Sequence, residues 1–192
     1  MAPVAVPDSV PVGLVIEAPE NNQESHTLVQ RFALLLATGG GAGYAPVAPG
    51  TFGSAVGVLV YLPLSGLGLG LFSITVLALL FLGIWAADVA EIVFTRKDDG
   101  RIVIDEIVGQ LLTLAPLVAL APRAELRSPL WLVTGFVLFR CLDIWKPGPI
   151  RWAERHFRGG AGVMLDDVVA GLLAGIVLGA AALAAPATGE GL

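Results

Sequence analysis

The chain has little of what most enzymes use for covalent or zinc chemistry. It holds one cysteine, Cys141, and two histidines in 192 residues. A single cysteine excludes an internal disulfide and any cysteine-based zinc cluster. Charge is scarce too: Asp, Glu, Lys and Arg make up 14 % of the chain, against about 25 % in ordinary soluble proteins. There is no basic surplus. Eleven Lys and Arg stand against 16 Asp and Glu, a net charge of −5, so nothing here attracts nucleic acid. Apolar bulk takes the missing polar share, at 56 % of the sequence. That balance fits neither a soluble globule nor a disordered or collagen-like chain.

The acidity is local. Residues 1–27 contain Asp8, Glu17, Glu20 and Glu24 and no Lys or Arg. They lack the basic start and apolar centre of a signal peptide and read as a mobile polar tail. The rest of the chain is nearly neutral. Residues 28–187 form one domain, and 188–192 close the chain as a second short tail.

Apolar runs organise that domain. Residues 67–87 carry no charge over 21 positions, the length of about 20 residues that a helix needs to cross a bilayer. Residues 168–185 form a second such run. Three shorter runs lie at 54–64, 107–121 and 129–139, and 32–38 reads as a short apolar helix packed beside them. The expected fold is all-α, a multi-pass membrane bundle of about four to five short apolar helices with its motif loops on the cytoplasmic face. With five crossings, nine of the eleven basic residues fall on the side of the amino terminus and only Arg123 and Arg127 on the other. That bias makes the first side cytoplasmic. Glycines at every fourth position, Gly171, Gly175 and Gly179 with Gly53 and Gly57, allow close helix approach.

The acids gather on the same side. Asp105 and Glu106 open the third run, Asp143 closes the fourth, and Asp166 and Asp167 open the fifth. Asp88, Glu91, Asp98 and Asp99 lie nearby in sequence. The helix dipole accounts for acids at a helix amino terminus, but not for Asp143 at a carboxyl end. Three segments that deliver carboxylates to one face suit a hard cation such as Mg²⁺, completed by water and phosphate oxygens. Basic residues accompany them. Arg140 shares a helix face with Asp143, Lys146 follows one turn later, and Arg101 precedes Asp105 by four places. Such interleaving points to phosphate as the third partner. The glycine- and proline-rich stretch 39–54 precedes the first run, where backbone N–H groups and a helix start can face an anion. Residues 150–158 form an amphipathic segment that suits a membrane interface, with Trp152 at the headgroups and His156 solvated.

Four ordered motifs resemble one family. They are Pro46-x-x-Pro49-Gly50-Thr51-x-Gly53-Ser54; Asp98 with Ile102-Val103-Ile104-Asp105-Glu106-x-Val108-Gly109; Phe139-Arg140-x-x-Asp143-Ile144-x-Lys146-Pro147-x-Pro149-Ile150; and Gly160-x-Gly162-Val163-Met164-Leu165-Asp166-Asp167-Val168-Val169-Ala170-Gly171. The pattern is similar to that of the phosphatidylglycerophosphatase A family. The resemblance implies a Mg²⁺-dependent phosphatase of the bacterial inner membrane with its site facing the cytoplasm. Its lipid substrate would be phosphatidylglycerophosphate, converted to phosphatidylglycerol and inorganic phosphate. The expected metal ligands are Asp105, Glu106, Asp143, Asp166 and Asp167. Asp105, Glu106, Asp143, Lys146 and Asp167 form the expected catalytic set. Arg140, Lys146, Arg101, Gly50, Thr51, Gly53 and Ser54 would contact phosphate, with Asp98 a secondary candidate. One histidine in the core and no Asp-x-Asp motif exclude phosphohistidine and haloacid-dehalogenase chemistry. Two rival readings use the same residues differently: a divalent-cation carrier, and a non-catalytic lipid-binding membrane protein.

Overall fold

The computed structural model describes residues 20–120 and 128–185. The tails at 1–19 and 186–192 lie outside the described residues, as do Arg123, Glu125 and Arg127. Helix α1 (Glu20–Ala37) therefore begins inside the stretch read as tail. It ends where Gly39, Gly40 and Gly41 take φ of 56°, 68° and 101°, a left-handed run that suits residues without a β-carbon. A short 3-10 turn follows at Ala42–Tyr44. Pro49 then opens α2 (Pro49–Leu64) as its first residue, where a missing N–H costs nothing.

A second 3-10 turn, Ser65–Leu67, joins α2 to α3 (Gly68–Phe94). Then come α4 (Ile104–Ala119), α5 (Pro129–Trp145), the short α6 (Gly148–His156) and α7 (Gly159–Ala184). No strand occurs among the described residues. Each apolar run read from the sequence lies mainly in helix over its described residues, and α2 starts at Pro49, ahead of the run at 54–64. The fifth starts earlier than expected, because α7 extends amino-terminally to Gly159. Asp166 and Asp167 thus lie two turns inside a helix, and a capping role does not explain them.

Helix α4 is the axis of the bundle. It packs against α2, α3, α5 and α7, and Leu111, Leu114, Val108 and Gln110 on it are fully buried. Both glycine series act as contact surfaces. A β-carbon on Gly171 would collide with the Gly109 carbonyl, and one on Gly57 would sit 2.8 Å from Gln110 Cβ. Thr113 Oγ1 donates to the Gly109 carbonyl at 2.9 Å, and the Gly171 carbonyl lies 3.3 Å away. The loop ends are tied as well: Val103 N–H donates to the Ala37 carbonyl at 2.8 Å, and Gly160 N–H to Asp88 Oδ1 at 2.6 Å.

The outer faces are apolar, with Leu59, Ile74, Leu77, Phe81, Ile176 and Leu183 exposed. Such a surface suits lipid rather than water. Two segments among the described residues are long and apolar enough to cross a membrane. They are Pro49–Phe94, which contains α2 and α3, and Gly159–Ala184. Taken alone, helices α2, α4 and α5, at 16, 16 and 17 residues, fall short of that length.

Candidate metal and phosphate site

Four helices meet at one end of the bundle. The amino-terminal turn of α4 presents Asp105 and Glu106. Helix α7 brings Asp167, held close by the glycine contact between Gly171 and Gly109. One carboxylate oxygen from each of Asp105, Glu106 and Asp167 lies within 4.8 Å of the others. Asp105 and Asp167 are buried and Glu106 is half-buried. Asp105 Oδ1 and Glu106 Oε2 are fully buried without a hydrogen-bond partner. Buried acceptors are normally satisfied, and a cation bound among these carboxylates would satisfy both oxygens.

The neighbouring cations are already committed. Arg140 Nη1 lies 2.6 Å from Asp143 Oδ2 and 3.4 Å from Ser54 Oγ. Lys146, held in a left-handed conformation at the end of α5, donates from Nζ to Asp166 Oδ2 at 2.7 Å. Among the described residues, neither of these ion pairs engages Asp105, Glu106 or Asp167, which stand together as three formal negative charges. An all-oxygen donor set of this kind fits a hard divalent cation, Mg²⁺ included.

The adjacent acids on α7 diverge, since successive helix residues are about 100° apart. Asp167 joins the cluster, with Asp143 as a charged neighbour. Asp166 turns to Lys146 and lines a cavity of about 230 Å³ together with Lys97, Asp98 and Phe157. Asp98 is therefore placed beside Asp166. Of the five expected ligands, three form the tight group, Asp143 flanks it, and Asp166 faces the neighbouring cavity.

The glycine-rich motif packs directly on this group. A β-carbon on Gly50 would overlap Glu106 Oε1 and lie 3.3 Å from Arg140 Nη1; one on Gly53 would meet Val103. The start of α2, with Gly50 and Thr51, thus points its positive end at the carboxylates. Ser54 is fully buried. It donates to the Gly50 carbonyl at 2.9 Å and meets Arg140 through its oxygen, so it supports Arg140 from below. Arg101 is engaged elsewhere. Its guanidinium pairs with Asp99 at 2.7 Å and stacks 3.7 Å above the Phe94 ring. The hydrogen bonds from Arg101 hold the Asp99 carboxyl below its ordinary range, against the opposing effect of burial.

Sequence reasoning gave no role to Asp99, Asp88 or Gln110. Asp99 anchors Arg101, and Asp88 receives the amino terminus of α7. The side-chain amide of Gln110 is buried one turn below Glu106 with no hydrogen-bond partner. A polar residue inside an apolar run was the available signal. His156 is exposed, stacked on Trp152 at 4.4 Å, as expected for a solvated member of α6.

Fold and site together define a class: an apolar α-helical bundle, with helices of membrane-crossing length, that carries a buried carboxylate group flanked by Arg and Lys at one end. Within that class the chain belongs to the phosphatidylglycerophosphatase A family, whose model matches residues 35–182. It is 38 % identical over 144 residues to phosphatidylglycerophosphatase A of Escherichia coli strain K12, covering 75 % of this chain and 80 % of that protein. It is also 38 % identical over 145 residues to the Haemophilus influenzae protein of the same name, covering 75 % and 85 %. A Bacteroides thetaiotaomicron protein provisionally named a phosphatidylinositol-3-phosphatase is 37 % identical over 154 residues, covering 77 % and 92 %. No solved structure matches the chain.

Proposed function

We propose that this chain is a Mg²⁺-dependent phosphatidylglycerophosphatase of the bacterial inner membrane, working at the cytoplasmic face. Water is consumed, the terminal phosphate ester is cleaved, and phosphatidylglycerol and inorganic phosphate leave. The observation that carries the reading is the buried group of Asp105, Glu106 and Asp167, with two of its oxygens unpartnered. The family relatives supply the substrate. The orientation rests on the basic residues of the loops and helix ends on the site's side.

Asp105, Glu106 and Asp167 would hold the ion, with Asp143 beside them. Bound Mg²⁺ supplies Lewis-acid polarisation of phosphoryl oxygens and neutralises their charge. Arg140 is fixed by Asp143 and Ser54, so its remaining guanidinium edge is positioned for a phosphate. Lys146 adds a second positive charge next to Asp166. The first turn of α2 aligns backbone dipoles toward the same anion. Burial of Asp105 and Asp167 limits water around the reacting group and strengthens each of these interactions.

The test is phosphate release from phosphatidylglycerophosphate in detergent micelles, with Mg²⁺ and with excess EDTA, beside Asp105→Asn. Release should require Mg²⁺ and vanish in the variant while the protein still accumulates in the membrane. An Asp105→Asn protein with wild-type turnover sinks the site assignment. Folded protein that binds Mg²⁺ but releases no phosphate favours the cation carrier, and ion flux would be measured next.

A further inference from the structure

The bundle is closed along most of its seams. Glycines press α7 onto α4 and α2 onto α4. Helices α2 and α5 behave differently. They are bridged at the site end by Arg140 and Ser54, and their outer faces leave a hollow between them. A groove of about 340 Å³ opens between them, lined by Ala55, Val58 and Leu59 of α2 and Leu132, Val133 and Phe136 of α5. Its lining is wholly apolar, and Leu59 and Val133 are 64 % and 58 % exposed. The groove is open sideways, and its volume falls in the range of about 300–1,000 Å³ typical of small-molecule sites.

The two helices that line the groove also carry site residues at their site ends. Ala55 follows Ser54 directly and lies one turn beyond Thr51. Phe136 lies one turn before Arg140. From Arg140 to Leu132 the helix rises roughly 12 Å, a distance on the scale of an extended glycerophosphoglycerol headgroup. A lipid whose terminal phosphate met Arg140 would therefore have an acyl chain beside α2 and α5, running parallel to both helices.

We propose that this groove holds one acyl chain of the lipid substrate, which enters sideways from the bilayer. The inference rests on the lipid-phosphatase reading above. Moving a chain from bilayer to groove gains nothing from the hydrophobic effect, because lipid tails are as apolar as leucine. The groove acts instead by alignment: it fixes where the headgroup emerges and so where the phosphate lies relative to Arg140 and Glu106. Blocking it should impair the diacyl substrate and spare its deacylated headgroup, which reaches the site from water.

The experiment uses the full chain in lipid nanodiscs, with Ala55→Trp and Val133→Trp as groove-filling variants. Both should lower kcat/KM for diacyl phosphatidylglycerophosphate by about tenfold or more and leave that for the deacylated headgroup phosphate unchanged. Unaltered diacyl turnover, or an equal fall on both substrates, overturns the proposal. So does wild-type protein that hydrolyses the two equally well, an outcome that leaves the phosphatase reading standing. Wild-type protein inactive on both overturns that reading itself. A readout independent of turnover and of variant folding is photolabelling of wild type. The probe is a phosphonate analogue of the substrate with a diazirine in one acyl chain. Labels should map to α2 and α5. Equal labelling of α3 and α7, equal labelling of the groove by phosphatidylcholine bearing the same diazirine, or a groove that no lipid probe reaches because a second copy covers it, each overturns the inference.

Discussion

Gly50 has no side chain, yet its replacement by alanine should disable the site. The β-carbon would fall inside contact distance of Glu106 Oε1 and lie 3.3 Å from Arg140 Nη1. Both opposing groups are ends of flexible side chains, so the helix need not move and stability should change by less than about 1 kcal/mol, as for a mild steric change. The Glu106 carboxylate, however, must retreat by roughly an ångström, and misplacement on that scale costs about 10²-fold in rate. The cluster of Asp105, Glu106 and Asp167 would lose its geometry, and the Mg²⁺ concentration for half-activity should rise. Gly66 is the matched control, since nothing lies within 4 Å of a β-carbon placed there. Phosphate release as a function of Mg²⁺, beside thermal unfolding in detergent, reads both effects. Gly50→Ala with wild-type rate and Mg²⁺ response, or with activity lost only because the protein unfolds, refutes this reasoning.

Further expectations concern the supports of the site. Gly171→Ala forces α7 off the Gly109 carbonyl; it should cost about 1–3 kcal/mol by overpacking, seen as a lower unfolding temperature in detergent. Arg140→Lys leaves one point charge to serve both Asp143 and Ser54; losing a charge-assisted hydrogen bond of about 1.5–3 kcal/mol should slow turnover roughly ten- to a hundredfold, and unchanged kinetics would contradict the placement of Arg140. The Asp99–Arg101 pair gives a pH signature. The folded-state pKa of Asp99 is lowered, so its stabilisation is present above the ordinary carboxylate range and is lost as pH falls through the folded value. Unfolding temperatures of wild type and Asp99→Asn should therefore differ at neutral pH and converge in acid; curves that stay parallel would count against the pair.

Much was legible without tertiary contacts. Charge-free apolar stretches are helices because a helix satisfies its backbone within one segment when both faces meet protein or lipid, and the runs from 67 and from 107 lie in α3 and α4. The glycine-rich stretch was legible at its start, where Gly39, Gly40 and Gly41 take positive φ, but not at its end, because Pro49–Ser54 already belongs to α2. The start of α7 was not. Hydropathy sees the charges of Asp166 and Asp167 as a boundary, whereas the helix continues through them because the bundle surrounds both.

The sequence by itself determined which charged residues gather at one end: Asp105, Glu106, Asp143, Asp166, Asp167, Arg140 and Lys146, spaced so that helices deliver them there. Only the tertiary structure decided how they divide. Helical rotation sends Asp167 to Asp105 and Glu106 but Asp166 to Lys146. Arg101, four residues from Asp105, turns instead to Asp99 and Phe94. Gly50, distant in sequence from Glu106, sits against it. Sequence spacing sets the face of a helix on which a side chain stands. Which faces meet depends on how closely the helices approach, and here glycines at Gly171 and Gly57 set that distance.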